Sequence, residues 1–326
     1  MNKSNIRGHI AMLFTSLIFG VNIPLSKNLM PDWMSPLGLT YSRFAFGAMA
    51  FWLLSLFLKS EKVTRKDMGT LFFGSLLGVG INQAAFISGL QHTSSTNASI
   101  VITITPILAM IISFFILKEP ITLKKAGGVI IGLVGVLSMI LTSEISAAGR
   151  ESSIIGDLLC VVSSLSYAFF LVLTRGISKR YGSVTIMKWM FLYSALMFLP
   201  FGYKDVFSAK IFSEGTPVAW SSYIYLLVGA TFITYLLIPI AQKQIRPTTI
   251  GMYNYLQPLV ASFIAVMWGQ DIFSWTKPIS ALLIFTGVYF VTTSKSREDV
   301  ERERLLKLEK TNLSNLQLYP IKEPLK

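Results

Sequence analysis

Residues 68–117 contain no Asp, Glu, Lys or Arg at all, fifty positions without a formal charge. A helix crosses a bilayer with about 20 apolar residues, so this run is too long for one crossing and fits two with a turn between them. Further charge-free runs cover 8–26, 44–58, 126–143, 158–174, 189–203, 215–242, 247–270 and 278–294. Backbone polar groups in hydrocarbon must be satisfied internally, which leaves helices or a closed barrel. Barrel strands alternate polar and apolar residues, and these runs do not. Only 14% of residues are charged, against about 25% in a soluble domain, too few for a water-facing surface. The expected fold class is therefore an all-α membrane protein with ten transmembrane helices, near 9–27, 35–58, 68–89, 96–117, 125–143, 155–175, 184–203, 219–241, 248–268 and 276–294.

A net charge of +13 invites a nucleic-acid partner, but basic loop residues also orient membrane proteins. With the N terminus inside, ten spans place 22 Lys and Arg in inner segments against 5 in outer ones, and 14 against 5 without the C-terminal tail. That bias predicts a multi-pass protein of the cell (inner) membrane with both termini cytoplasmic and no nucleic-acid partner. The short tail with Lys3 and Arg7 reads as the flank of an uncleaved first helix. One cysteine, Cys160, and two distant histidines, His9 and His92, exclude a disulfide framework and offer no metal cluster. No cofactor is expected.

The chain also resembles itself. A shift of 152 residues sets Thr96 on Thr248, Pro106 on Pro258, Glu119 on Asp271 and Gly135-Val136 on Gly287-Val288. A shift of 148 sets SLIFGVNIPLSK on SLSYAFFLVLTR, and one of 145 sets Thr40 and Arg43 on Thr185 and Lys188. Five spans per copy is an odd number, so the copies are expected as two inverted five-helix repeats, 8–145 and 153–295, followed by a cytoplasmic tail, 296–326. Inverted repeats are common in secondary carriers.

The stretch QHTSSTNASIVITITPILAMIISFFILKEPITLKKAGGVIIGLVGV (91–136) and its partner RPTTIGMYNYLQPLVASFIAVMWGQDIF (246–273), with Phe19-Gly20-Val21-Asn22 in the first helix, resemble the EamA branch of the drug/metabolite transporter superfamily. The likeness spans about residues 8–295. It implies an inner-membrane exporter or exchanger of amino acids, related metabolites or drugs. One departure is Asp271, where the family usually carries glutamate.

Polar side chains at membrane depth are the candidates for a substrate path, because an unpaired amide in hydrocarbon is costly. The substrate-binding set is Asn22, Asn82, Gln83, Thr103, Tyr167, Tyr235, Tyr253, Asn254 and Gln257. The competing reading for each is interhelical glue. Pro24, Pro106 and Pro258 remove backbone donors inside apolar helices and are candidate hinges, with static kinks as the alternative. Arg43 and Lys188 sit several residues inside their helices. Snorkelling to the interface is the favoured reading for both. Anchoring a substrate carboxylate, or gating by pairing with Glu119 or Asp271, is the alternative. The glycines of the third and fifth helices read as packing surfaces. The tail is expected to hold a short surface helix over 296–310 and to be disordered beyond it.

All sixteen acids fall in loops, tails or helix ends. Carriers that exchange protons usually keep a buried carboxylate, so obligatory proton antiport through a central acid is not expected. HExxH, GxSxG and paired intramembrane acids are lacking, which argues against an enzyme. A channel or non-transporting receptor is the remaining alternative. The leading expectation is a secondary carrier working by alternating access, with a small-molecule substrate and the lipid bilayer as partners and a homodimer left open.

Overall fold

The computed structural model describes residues 3–93, 98, 101–144, 154–267, 275–295 and 297–318. Among these residues every regular element is helical. In chain order they are α1 (Lys3–Leu29), α2 (Pro36–Leu56), α3 (Arg65–His92), α4 (Thr105–Leu117), α5 (Leu123–Glu144), α6 (Ile154–Leu173), α7 (Ser183–Phe207), α8 (Pro217–Gln244), α9 (247–267), α10 (Thr276–Thr292) and α11 (Arg297–Leu318). The elements α1 to α10 fall on the ten segments expected from the sequence. Six described helices, α1, α2, α3, α6, α7 and α8, are long and apolar enough to cross a membrane. Two shorter apolar helices, Thr105–Leu117 and Pro278–Thr292, accompany them.

Local chemistry sets the helix starts. Ser35 caps α2, its Oγ accepting from Gly38 N–H at 3.0 Å, with Pro36 in the first turn. Thr64 caps α3, accepting from Asp67 N–H at 3.3 Å. Thr216 caps α8 in the same way, accepting from Ala219 N–H at 3.2 Å, with Pro217 next in sequence. Each cap satisfies one of the donors that a helix start leaves free.

Two pairs of equivalent helices, α2 with α7 and α5 with α10, pack antiparallel across the two halves. Ser35, just before α2, donates to Asp205 near the end of α7 at 2.5 Å. Near the other end of α2, Trp52 packs edge-on against Trp189 of α7. The helices α5 and α10 do the same. A Cβ added at Gly128 would stand 2.8 Å from the Gly287 carbonyl oxygen, so glycine is required for that approach. Further along the pair, the hydroxyls of Ser138 and Ser280 meet at 2.9 Å. The expectation that glycines of the third and fifth helices serve packing holds. The outward faces are apolar: Phe115 is 73% exposed and Leu282 69%. A contiguous apolar exterior of this kind suits lipid rather than water.

Three features depart from the sequence reading. The bends expected within helices at Pro106 and Pro258 are breaks instead. Pro106 stands in the first turn of α4, after a non-helical turn at 103–104. Pro258 follows a 3-10 turn at Tyr253–Tyr255 that divides α9. Proline is tolerated in a first turn because its missing donor would be unsatisfied there anyway. Second, α3 and α8 each contain a π-helical stretch, Leu76–Ile81 and Tyr225–Ile233, at matching places in the two halves. Third, the tail helix α11 runs to Leu318, well past the short helix expected. Its charged residues keep it exposed along the described side chains.

Candidate functional site

The two π-helical stretches flank a buried polar cavity of about 80 Å³. Its walls come from both halves: Phe19 and Asn22 on α1, Arg43 on α2, Asn82, Gln83 and Phe86 on α3, Ile102 and Thr105 beside the α4 break, then Ser163, Ser164 and Tyr167 on α6, Tyr235 on α8, and Asn254 and Gln257 on α9. π-helical turns concentrate at functional sites because the extra residue re-aims side chains and carbonyls. Here the carbonyls of both stretches accept from side chains. Tyr235 Oη donates to Gly78 O at 3.1 Å, and Ser166 Oγ to Leu77 O at 2.7 Å. Arg43 Nη2 donates to Ala230 O at 3.0 Å, and Thr234 Oγ1 shares that oxygen at 2.9 Å.

Two cross-half links tie the floor together. Gln83 Nε2 donates to Tyr235 Oη at 3.0 Å. These two residues are 152 positions apart, the shift that overlays the repeats. Asn82 Nδ2 donates to Ser163 O at 3.0 Å and to Ser163 Oγ at 2.9 Å, and Ser163 Oγ donates back to Asn82 O at 2.9 Å. Gln257 Nε2 donates to Asn254 Oδ1 at 3.2 Å. Two polar atoms in the cavity wall, Gln83 Oε1 and Tyr167 Oη, have no hydrogen-bond partner among the described residues.

Seven of the nine sequence-predicted binding residues therefore converge: Asn22, Asn82, Gln83, Tyr167, Tyr235, Asn254 and Gln257. Thr103 is buried at the α4 break, outside the cavity wall. Tyr253 faces away, its hydroxyl 2.8 Å from His9 Nδ1. Its neighbour Asn254 takes the inward position because the 3-10 turn rotates this part of α9.

The charged candidates separate. Arg43 does not snorkel: it is 2% exposed and its Nε donates to Thr231 Oγ1 at 2.8 Å. Lys188 instead is partly exposed, its Nζ 5.0 Å from the centre of the Trp52 ring. Glu119 pairs with neither of them. Asp271 lies outside the described residues. Pro24 is inside α1, two residues beyond the cavity residue Asn22.

A second, wider cavity of about 540 Å³ opens where α4 ends, between the ends of α6, α8 and α10. Basic residues dominate its rim, including Arg175, Lys179, Lys243, Arg246 and Arg297. Lys118 ends α4 in a left-handed conformation at φ 54°, and Glu119 N–H donates to Ser113 O at 3.2 Å. That turn carries Glu119 back beneath the helix bundle. Its Oε2 accepts from Lys125 Nζ at 2.9 Å, and its Oε1 pairs with Arg175 Nη1. Burial pushes the Glu119 carboxyl up, but the charges of Lys125 and Arg175 outweigh it and hold the group below the usual glutamate range. Arg246 caps the end of α10, donating to the carbonyls of Val291, Thr292 and Ser294 at 2.8, 3.0 and 2.9 Å. Beside them Gln242 joins α8 to the end of α6, with Nε2 to Thr174 Oγ1 at 2.8 Å and Oε1 from Ser178 Oγ at 2.7 Å. Sequence reading missed this assembly. The clue available was the basic excess at these loops, which says nothing about who pairs with whom.

The family model for the EamA-like transporter family matches residues 6–141 and 154–293. The uncharacterized transporter YetK of Bacillus subtilis is 23% identical over 91% of this chain and 90% of its own length. A WAT1-related protein of Arabidopsis thaliana is 25% identical over 72% of this chain and 69% of its own length. A solved crystal structure superposes with a TM-score of 0.66 at 19% identity, covering 89% of this chain and 96% of the other. That likeness concerns the fold.

Proposed function

Because this chain belongs to the EamA-like transporter family, we propose that it is a secondary carrier that moves a small organic metabolite across the cell membrane by alternating access. In this reading ten helices cross the bilayer as two inverted five-helix repeats, 8–145 and 153–295. Both termini and the tail 296–326 are cytoplasmic. The observation that carries the reading is the central cavity, lined mainly by polar residues that come from both halves. A site of that construction can be exposed to one side and then the other when the halves rock about it. The wide cavity with its basic rim is then the cytoplasmic mouth, since it collects residues of the segments that the positive-inside bias assigns inward.

Asn22, Asn82, Gln83, Tyr167, Tyr235, Asn254 and Gln257 are the proposed substrate contacts. Pro106 and Pro258, each next to a helix break, are the proposed hinge positions, and Glu119 with its partners closes the inner gate. An amino acid or similar solute suits a pocket lined with amides and tyrosines, and export or exchange is the proposed mode. The test is counterflow in proteoliposomes preloaded with a metabolite extract. Saturable exchange of at least one organic solute, inhibited by its analogues, is expected. Unitary currents without saturation contradict it. A pH indicator inside the vesicles is expected to report no obligatory proton movement, because the cavity wall carries no acid among the described residues.

A further inference from the structure

Arg43 places a full positive charge in the central cavity, and no carboxylate among the described residues pairs with it. A guanidinium presents five N–H donors. Only two described groups accept from Arg43, Thr231 Oγ1 at 2.8 Å and Ala230 O at 3.0 Å. Both acceptors are neutral, so they fix the side chain without cancelling its charge. A buried cation left so is costly unless an anion joins it. The same wall offers the unpartnered Gln83 Oε1, which can only accept, and the unpartnered Tyr167 hydroxyl. Gln83 is 4% exposed and Tyr167 7%, so neither finds ready compensation in bulk water.

Cation, bare acceptor and bare hydroxyl together describe a ligand with one anionic end and one hydrogen-bond donor. The volume of about 80 Å³ holds on the order of five to eight water-sized groups. That suits a compact molecule with a single negative charge, whereas a phosphorylated or dicarboxylic solute would bring a second charge to a wall with one cation. Guanidinium and carboxylate also match in shape, two parallel N–H donors against two oxygens. We propose that Arg43 anchors the carboxylate of a small amino or hydroxy acid, with Gln83 Oε1 accepting from its ammonium or hydroxyl group. This inference rests on the carrier reading and specifies what the carrier selects.

The test uses the full-length chain in lipid nanodiscs and compares acids with their neutral counterparts. The probes are L-serine, L-threonine, L-lactate and D-glycerate, set against L-serinamide, L-threoninamide, lactamide and glyceramide. Thermal shift titrations give the apparent affinities. At least one acid is expected to bind tenfold or more tightly than its amide. Arg43→Gln is expected to weaken that acid by tenfold or more and its amide much less, so that the acid-to-amide ratio falls, while Arg43→Lys keeps part of the affinity. The inference is overturned if the amides bind as well as the acids, if Arg43→Gln binds the acid like the wild type, or if none of the acids binds. Should Arg43→Gln fail to fold, the acid-to-amide ratio of the wild type alone decides. The carrier reading fails differently, when vesicles exchange no solute of any charge.

Discussion

The central cavity and the basic mouth handle charge in opposite ways. At the mouth, Glu119 is gripped by Lys125 and Arg175, and Arg246 is spent on four carbonyls at the end of α10. In the cavity, Arg43 meets only neutral acceptors, and two polar atoms have no partner. A buried ion pair with its hydrogen bonds in place resists disruption, because removing one partner strands the other. A polar wall with partners missing is poor for rigidity and suited to a guest that supplies them. The contrast assigns locking to the mouth and recognition to the cavity.

The largest effect is expected from Glu119→Gln. It leaves Lys125, fully buried, without its counter-charge, and should lower unfolding stability by about 3 kcal/mol, read from thermal unfolding in detergent. A change below about 1 kcal/mol would remove the mouth's role as a lock. Next comes Tyr235→Phe, which deletes the hydroxyl between Gln83 Nε2 and Gly78 O. A loss of about 1–2 kcal/mol is expected, together with weaker counterflow. An unchanged exchange rate would show that the cross-half link is glue alone.

Acid offers a gentler probe of the same contrast. The Glu119 carboxyl is held below its ordinary range in the fold. Its stabilisation is therefore present above that range and is lost as pH falls through the lower folded value. Wild-type melting temperature should drop more steeply than that of Glu119→Gln below about pH 4. Parallel curves would contradict the assignment. The smallest effect is expected from Lys188→Ala, which loses only the contact with the Trp52 ring. A cost of about 0.5 kcal/mol is expected, with exchange unaffected. A large loss of exchange would place Lys188 on the path instead of at the interface.

Much of this was legible in the sequence, and the part that was not has physical reasons. Charge-free runs report helices directly, because lipid excludes charge over a fixed length. Asn22, Asn82, Gln83, Tyr167, Tyr235, Asn254 and Gln257 stood out because amides and buried hydroxyls need partners or a cavity. Arg43 and Lys188 look alike in sequence, each a cation several residues inside an apolar helix. Their fates differ because Ala230 O and Thr231 Oγ1 stand ready for one and Trp52 for the other. That is a property of the packed neighbours. A π-helical stretch leaves no trace in composition, since it changes the hydrogen-bond step and not the residue types. Glu119 finds Lys125 six positions along and Arg175 fifty-six positions along, and the left-handed Lys118 that directs it is not a glycine.

Alternating access of the proposed kind requires two halves that point opposite ways around one cavity. In a Cys160→Ser background, single cysteines at Lys62, after α2, and at Lys210, after α7, mark equivalent exposed loops of the two halves. A membrane-impermeant thiol reagent added to intact cells should label the cysteine at 210 and reach the one at 62 only after the membrane is permeabilised. Labelling of both from the same side would contradict the inverted arrangement.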